Sequence, residues 1–286
     1  MTKIQAPTEG VALTALGVAL IRERETRRPD RLYEDPLASA FVDAARRDFG
    51  RTAAGAARWA RVEALAERFF EGRSVGVRLV DDQVAAAVAA GCRQVVFLGA
   101  GLDTRAYRLA LPADSAVFEI DLPELFAFKE PVLRAAGARP ATRRHVLPID
   151  LRTDWATPLR AGGFRADLPT HWIDEGALPY LPAADHARVL RTLTALSAPG
   201  SRFGLSRFAV DHDSPDYAEL RRLVAGDGPV AAVPGDAERP GERWLTDHGW
   251  HAEFRAWDDL IAPLGRAVAV GDPRVGVVLA ERSTRT

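Results

Sequence analysis

A four-residue apolar run, Val95-Val96-Phe97-Leu98, stops abruptly at Gly99-Ala100-Gly101. No other stretch of the 286 residues constrains the fold as strongly. Short, continuous and rich in β-branched residues, the run predicts a strand buried on both faces, as in a parallel sheet covered by helices. The same signature returns downstream with room for a helix between copies. Ala116–Ile120 is closed by Asp121, and His145–Ile149 by Asp150. Thr170–Ile173 is closed by Asp174-Glu175-Gly176, and Phe203–Phe208 follows. One intervening helix opens at Pro123 and runs to about Ala136. Another opens at Pro182, carries Val189, Leu193 and Leu196 on one face, and stops at Pro199-Gly200. The alternation predicts a doubly wound α/β sheet. A helix over Gly241–His248 and strands near Ala252–Trp257 and Val275–Ala280 complete it. The link Asp258–Arg274, with its turn at Pro263 and Gly265, is short for a crossover helix of usual size and predicts a terminal antiparallel pair.

Before Gly91 the rhythm is helical. Trp59, Val62, Ala66 and Phe69 recur at spacings of three and four, as do Val77, Val80, Val84 and Val88. Asp35-Pro36 marks a helix start. The expected division is a helical N-terminal cap over 1–90 and an α/β core over 91–286. Pro215, Pro229, Pro234 and Pro240 place an irregular or partly helical cap insertion in the core near 211–240. Val11–Ile21 is too short to span a bilayer and runs into Arg22-Glu23-Arg24-Glu25, so it reads as a buried helix.

With 38 Lys and Arg against 39 Asp and Glu, the net charge is −1, which offers nothing to hold a polyanion. Neither nucleic acid nor membrane is an expected partner. Cys92 is the only cysteine, so no intrachain disulfide can form and no cysteine-rich zinc site is possible. A cytoplasmic protein without a metal is expected. Asp211-His212-Asp213 reads as a solvated loop, and His248 and His251 as structural residues.

Chemistry concentrates after the first strand. Two glycines there let backbone turn tightly and approach a ligand without a Cβ in the way. Asp121 follows Gly101 by twenty residues, the spacing at which a carboxylate meets ribose hydroxyls. Its alternative role is to cap the helix at Pro123; the two are compatible, and the context puts the ligand role ahead. A pyrophosphate site favours a third glycine, where this chain has Thr104, and the preceding Asp103 would repel phosphate. A nucleoside cofactor without phosphate, S-adenosylmethionine, suits the loop better.

The run Leu98-Gly-Ala-Gly-Leu-Asp-Thr-Arg-Ala-Tyr-Arg108, with Glu119-Ile120-Asp121, resembles the leucine carboxyl methyltransferase family. It is most similar to the bacterial branch that includes O-methyltransferases of polyketide biosynthesis. Arg22–Glu25, Asp35-Pro-Leu-Ala38, Arg78-Leu-Val-Asp-Asp82, Ile149-Asp-Leu151, Trp172–Gly176 and Tyr180-Leu-Pro182 extend the resemblance to about Phe208. The resemblance implies a Rossmann-like class I methyltransferase sheet, mostly parallel with an antiparallel terminal strand. It implies that Arg78 holds the cofactor carboxylate, Gly99 and Gly101 line its methionine end, and Asp121 takes the ribose. Asp150 and the Leu151 amide would meet adenine, Glu175 the cofactor amine or the substrate pocket, and Tyr180 the reacting centre. Glu175 and Tyr180 are thus the catalytic candidates. An N-terminal cation of the family could be Arg22 or Arg24.

The expected activity is S-adenosylmethionine-dependent O-methyl transfer to a small-molecule carboxylate or hydroxyl, in polyketide or other secondary metabolism. An NAD(P)-dependent oxidoreductase on a similar sheet, or a catalytically silent cofactor-binding protein, are the competing readings.

Overall fold

The structure of the protein, a computed structural model, describes residues 4–7, 10, 12–207, 215–225 and 241–283. Four helices come first: α1 (Ala12–Thr26), α2 (Ala38–Phe49), α3 (Ala53–Arg68) and α4 (Phe70–Ala89). Strands and helices then alternate through β1 (Gln94–Leu98), α5 (Arg105–Arg108), β2 (Ala116–Asp121), α6 (Pro123–Ala135) and β3 (Arg143–Pro148). They continue with α7 (Ala156–Ala161), β4 (Thr170–Asp174), α8 (Ala183–Ala195) and β5 (Arg202–Arg207). The remainder comprises α9 (Pro215–Ala225), α10 (Glu242–Asp247), β6 (Trp250–Ala256), α11 (Trp257–Ile261) and β7 (Gly276–Arg282). Of the insertion expected near 211–240, only α9 falls among the described residues, and Asp211-His212-Asp213 lies outside them.

The seven strands form one sheet in the order β3-β2-β1-β4-β5-β7-β6. Pairings from β3 through β5 are parallel, and β7 runs antiparallel to both of its neighbours. The expected antiparallel element is therefore a single strand wedged between β5 and β6. Strand order reverses direction at β1, whose neighbours are β2 and β4, so a crevice opens outside the carboxyl ends of those strands. Register brings Leu98 opposite both Ile120 and Asp174 and thereby aligns the strand ends that carry the polar residues.

Every residue of β1 is buried, as a run without alternation requires. On one face Val96, Phe118 and Trp172 pack with Trp155 and Leu190; on the other Val95, Phe97, Val117 and Ile173 pack beneath Val84 of α4. Helices α1–α3 share a third cluster with α6, where Leu16, Leu20 and Phe41 meet Phe128 and Val132. Complete burial of each such side chain contributes roughly 1.5–3 kcal/mol. Helix α4 thus lies on the sheet, and α1 reaches the glycine loop, where Arg22 donates to the Leu102 carbonyl. No helix among the described residues is long and apolar enough to cross a membrane.

Helix α2 starts at Ala38, two residues later than Asp35-Pro36 suggests. Asp35 is buried against Arg22 and Thr104 and leaves the chain to enter the helix after Leu37.

Candidate active site

Backbone geometry comes first. Gly99 has φ +72°, and a Cβ built there would sit 2.2 Å from the Cβ of Ala177. Only glycine lets the loop after β1 pass so close to the turn after β4. The amides of Gly99 and Ala100 both donate to the Ile120 carbonyl, at 2.9 Å, and bind the loop to the end of β2.

Asp121 stands at that end. Its Oδ2 accepts from the Gly101 amide at 2.6 Å and its Oδ1 from the Leu122 amide at 2.7 Å. Each oxygen keeps lone-pair capacity for a further donor. Burial pushes the carboxyl above its ordinary pKa range, and the two amides offset part of that rise. Helix α6 has Leu122 as its N-cap residue without a side-chain cap bond, so Asp121 serves the loop more than the helix.

After β4 a second carboxylate organises a turn. Asp174 Oδ1 accepts from the amides of Gly176, Ala177 and Leu178 at 3.2, 2.7 and 3.1 Å. Burial still lifts its pKa to about 6, with those amides acting in the opposite direction. The turn presents Glu175, whose carboxylate is bound by Arg105 through both oxygens. Arg105 also binds Asp81 of α4 at 2.6 Å and Asp103 at 2.5 Å, and is itself buried. At Asp103 burial acts upward on the pKa, but Arg105, Lys129, Arg22 and Arg108 together outweigh it and the carboxyl sits below its ordinary range.

A cavity of about 290 Å³ occupies this edge. Gly99, Gly101, Asp121, Asp150, Leu151, Glu175 and Tyr180 all line it. Ala12, Ala15 and Val18 of α1, Leu122 and Leu125 of α6, and Leu181 give it apolar walls. Asp150 is bound by Arg152 through Nε at 2.9 Å and Nη2 at 2.6 Å, which holds its carboxyl below the ordinary range. The Leu151 amide has no acceptor among the described residues and is available to a ligand. Tyr180 is 41% exposed and stands at the cavity mouth.

Arg78, expected from the resemblance to hold the cofactor carboxylate, lies apart from these residues. It pairs with Asp82 at 2.9 Å, donates to the Leu32 carbonyl at 3.0 Å, and does not line the cavity. The α4 arginine that does is Arg73, which has no ion-pair partner among the described residues. Five residues at 3.6 per turn separate the two by about 140° around the helix. Strand and turn motifs fix phase in a way that a helix with two arginines does not, so sequence leaves open which of the pair reaches the cavity. Of the two N-terminal cations, one reaches the cavity. Arg22 lines the cavity, buried, with Nη1 on Asp35 at 2.9 Å and Nη2 on the Leu102 carbonyl at 2.7 Å. Arg24 points to Glu67 outside it. Among the described residues no group of His, Cys, Asp or Glu could hold a metal ion.

The geometry disfavours a pyrophosphate. The helix after the glycine loop has a single turn, and a buried carboxylate, Asp103, precedes it. Thr104, where a third glycine would stand, donates to Asp35 at 2.7 Å and links the loop to the cap.

Residues 15–194 match the family model for leucine carboxyl methyltransferase. A protein of Parafrankia sp. is 40% identical over 276 residues, covering 96% of this chain and 88% of its own length. One from Frankia alni is 40% identical over 288 residues, with 98% and 97% covered. Both bear names that place them among S-adenosyl-L-methionine-dependent methyltransferases. The fold is shared with a crystal structure from Thermobifida fusca, at TM-score 0.54, 19% identity and coverage of 97% and 96%. A Streptomyces avermitilis structure gives TM-score 0.57 at 16% identity, with 94% and 97% covered.

Proposed function

Because the chain belongs to the leucine carboxyl methyltransferase family, we propose that it transfers a methyl group to an oxygen of a small, largely apolar molecule, a carboxylate in preference to a hydroxyl. S-adenosyl-L-methionine is the methyl donor, and it supplies a methyl group already activated on a sulfonium. One observation carries the reading: the glycine loop, the Asp121 carboxylate, Leu151 and Glu175 converge on a single cavity.

The residues fit such a cofactor. Asp121 has acceptor capacity for ribose hydroxyls, and the Leu151 amide can donate to adenine. Arg73 brings a guanidinium without a carboxylate partner among the described residues, suited to the cofactor's carboxylate. Glu175 brings negative charge to the side where the ammonium would lie. Asp150, already engaged by Arg152, keeps room for an adenine amine only on its outer lone pairs.

The chain's own contribution to rate is alignment and exclusion of water. The α1 and α6 side chains wall the acceptor side with hydrocarbon. No histidine is among the described residues lining the cavity, and Glu175 is committed to Arg105. A carboxylate acceptor, which needs no base, is consistent with that lining. Tyr180 at the mouth is positioned to meet the acceptor rather than the buried part of the cofactor.

Transfer of labelled methyl to a panel of small carboxylic acids, phenols and alcohols tests the proposal, with a leucine-terminated peptide as a separate arm. Ester formation on a small acid, at a rate flat into mildly acidic pH, is the expected result. A rate that rises with the ionisation of a phenol would replace the carboxylate by a hydroxyl. Transfer to the peptide alone would overturn the small-molecule assignment.

A further inference from the structure

The buried guanidinium of Arg105 has its full set of five N–H donors engaged. Nε binds Asp81 at 2.6 Å, and Nη1 binds Asp103 at 2.5 Å together with Glu175. Nη2 binds the Val77 carbonyl at 3.2 Å and the other Glu175 oxygen at 3.2 Å. Three separately coded elements meet on this one side chain: α4 through Asp81 and Val77, the glycine loop through Asp103, and the turn after β4 through Glu175. Arg108 shares Asp81, bridging both of its oxygens at 2.7 Å.

These partners differ in what they need from Arg105. Asp81 and Asp103 are buried, and Asp81 has a second cation in Arg108. The side chain of Glu175 is 26% exposed, and among the described residues its only cation partner is Arg105. The Asp174 turn fixes the backbone that carries it, but a glutamate still has three side-chain torsions. A fork-shaped donor that takes both oxygens removes that freedom, which a lysine cannot do while also serving two aspartates.

We propose that Arg105 is a positioning residue for methyl transfer, acting through Glu175: it holds that carboxylate at the one place on the cavity wall where the cofactor's cationic side is met. The inference rests on the reading of the cavity as a cofactor site. Arg105 thereby ties the grip on the cofactor to α4, so that cap and sheet position the same carboxylate.

Calorimetric titration of S-adenosylhomocysteine into the full chain tests this through a double-mutant cycle of Arg105→Lys and Glu175→Gln. Each single variant is expected to weaken binding about tenfold, and Arg105→Lys in the Glu175→Gln background less than threefold further, because its effect passes through the missing carboxylate. Equal loss in both backgrounds would overturn the proposal. Glu175→Asp gives an answer even if Arg105→Lys does not fold. It keeps the charge but withdraws it by one methylene, and should lose as much affinity as Glu175→Gln; affinity equal to the original chain would mean that position is immaterial. Failure of the unaltered chain to bind would instead remove the cofactor reading itself.

Discussion

The two ends of the cavity are built in opposite ways. At the glycine loop, polar groups are buried and held by parts of the chain far apart in sequence: Arg105 joins Asp81, Asp103 and Glu175, and Asp121 rests on the Gly101 amide twenty residues before it. At the far end, Asp150 is held by Arg152, two residues on, and the arginine is more than half exposed. Burial makes each lost partner costly, because an unpaired polar group in a low-dielectric site has no water to fall back on. Exposure makes a partner replaceable. The first end is therefore shaped by the fold and ready before a ligand arrives, whereas the second can exchange its arginine for ligand or solvent at little cost.

The sharpest way to break the first end is at its closest approach. Gly99→Ala forces a Cβ onto Ala177 from a left-handed backbone and should destabilise the protein by about 3 kcal/mol. Urea unfolding measures this; a change below about 1 kcal/mol would show that the loop and the turn can separate.

Asp174 gives a pH signature to the same turn. Its carboxyl titrates near 3.9 in an unfolded chain and is raised to about 6 here. The folded protein thus holds the extra proton between those values. Stability present below about pH 4 should be lost as the pH rises through about 6, by roughly 2–3 kcal/mol at most. Asp174→Asn keeps an acceptor for the three amides and should flatten that slope in thermal melts from pH 4 to 7. A slope unchanged in the variant would assign it to other groups.

Asp121→Ala should cost about 1.5–3 kcal/mol in S-adenosylhomocysteine affinity, the scale of hydrogen bonds to a charged group. Calorimetry on a folded variant with unaltered affinity would take Asp121 out of the site. Arg73→Ala should weaken the same binding by about 1–1.5 kcal/mol, while Arg78→Ala changes it by less than about 0.5, as expected for an exposed i,i+4 pair. The reverse order would restore Arg78 to the cofactor.

The smallest effect belongs to the exposed end. Arg152→Ala should alter stability and binding by less than about 0.5 kcal/mol. A large loss there would erase the contrast between the two ends.

How much of this is legible in sequence follows the same division. Strand ends announce themselves, because an apolar run must stop where a polar residue begins; Gly99, Asp121, Asp150 and Glu175 are found that way and do line the cavity. The cofactor roles proposed for them come from spacing and family resemblance, and the placement is what the fold adds. Residues projecting from helices are harder to find. Arg73 and Arg78 share one arginine-containing helix, and only packing decides which of them faces the sheet edge. Arg105 lies within the motif itself, yet its three carboxylates span Asp81 to Glu175 and no local pattern joins them. Contacts of α1 with the glycine loop are likewise invisible until the cap is folded over it.

The place of β7 has a consequence for how the protein is made. Strand β6 precedes β7 in the chain but attaches to the sheet through it, on the side away from β5. As the polypeptide leaves the ribosome, β1 to β5 can pair in the order they emerge, whereas β6 must wait, exposed, for a strand that has not yet been translated. Until Arg282 clears the exit tunnel, β5 keeps an open edge, so this flank of the sheet is where a nascent chain would most need a chaperone.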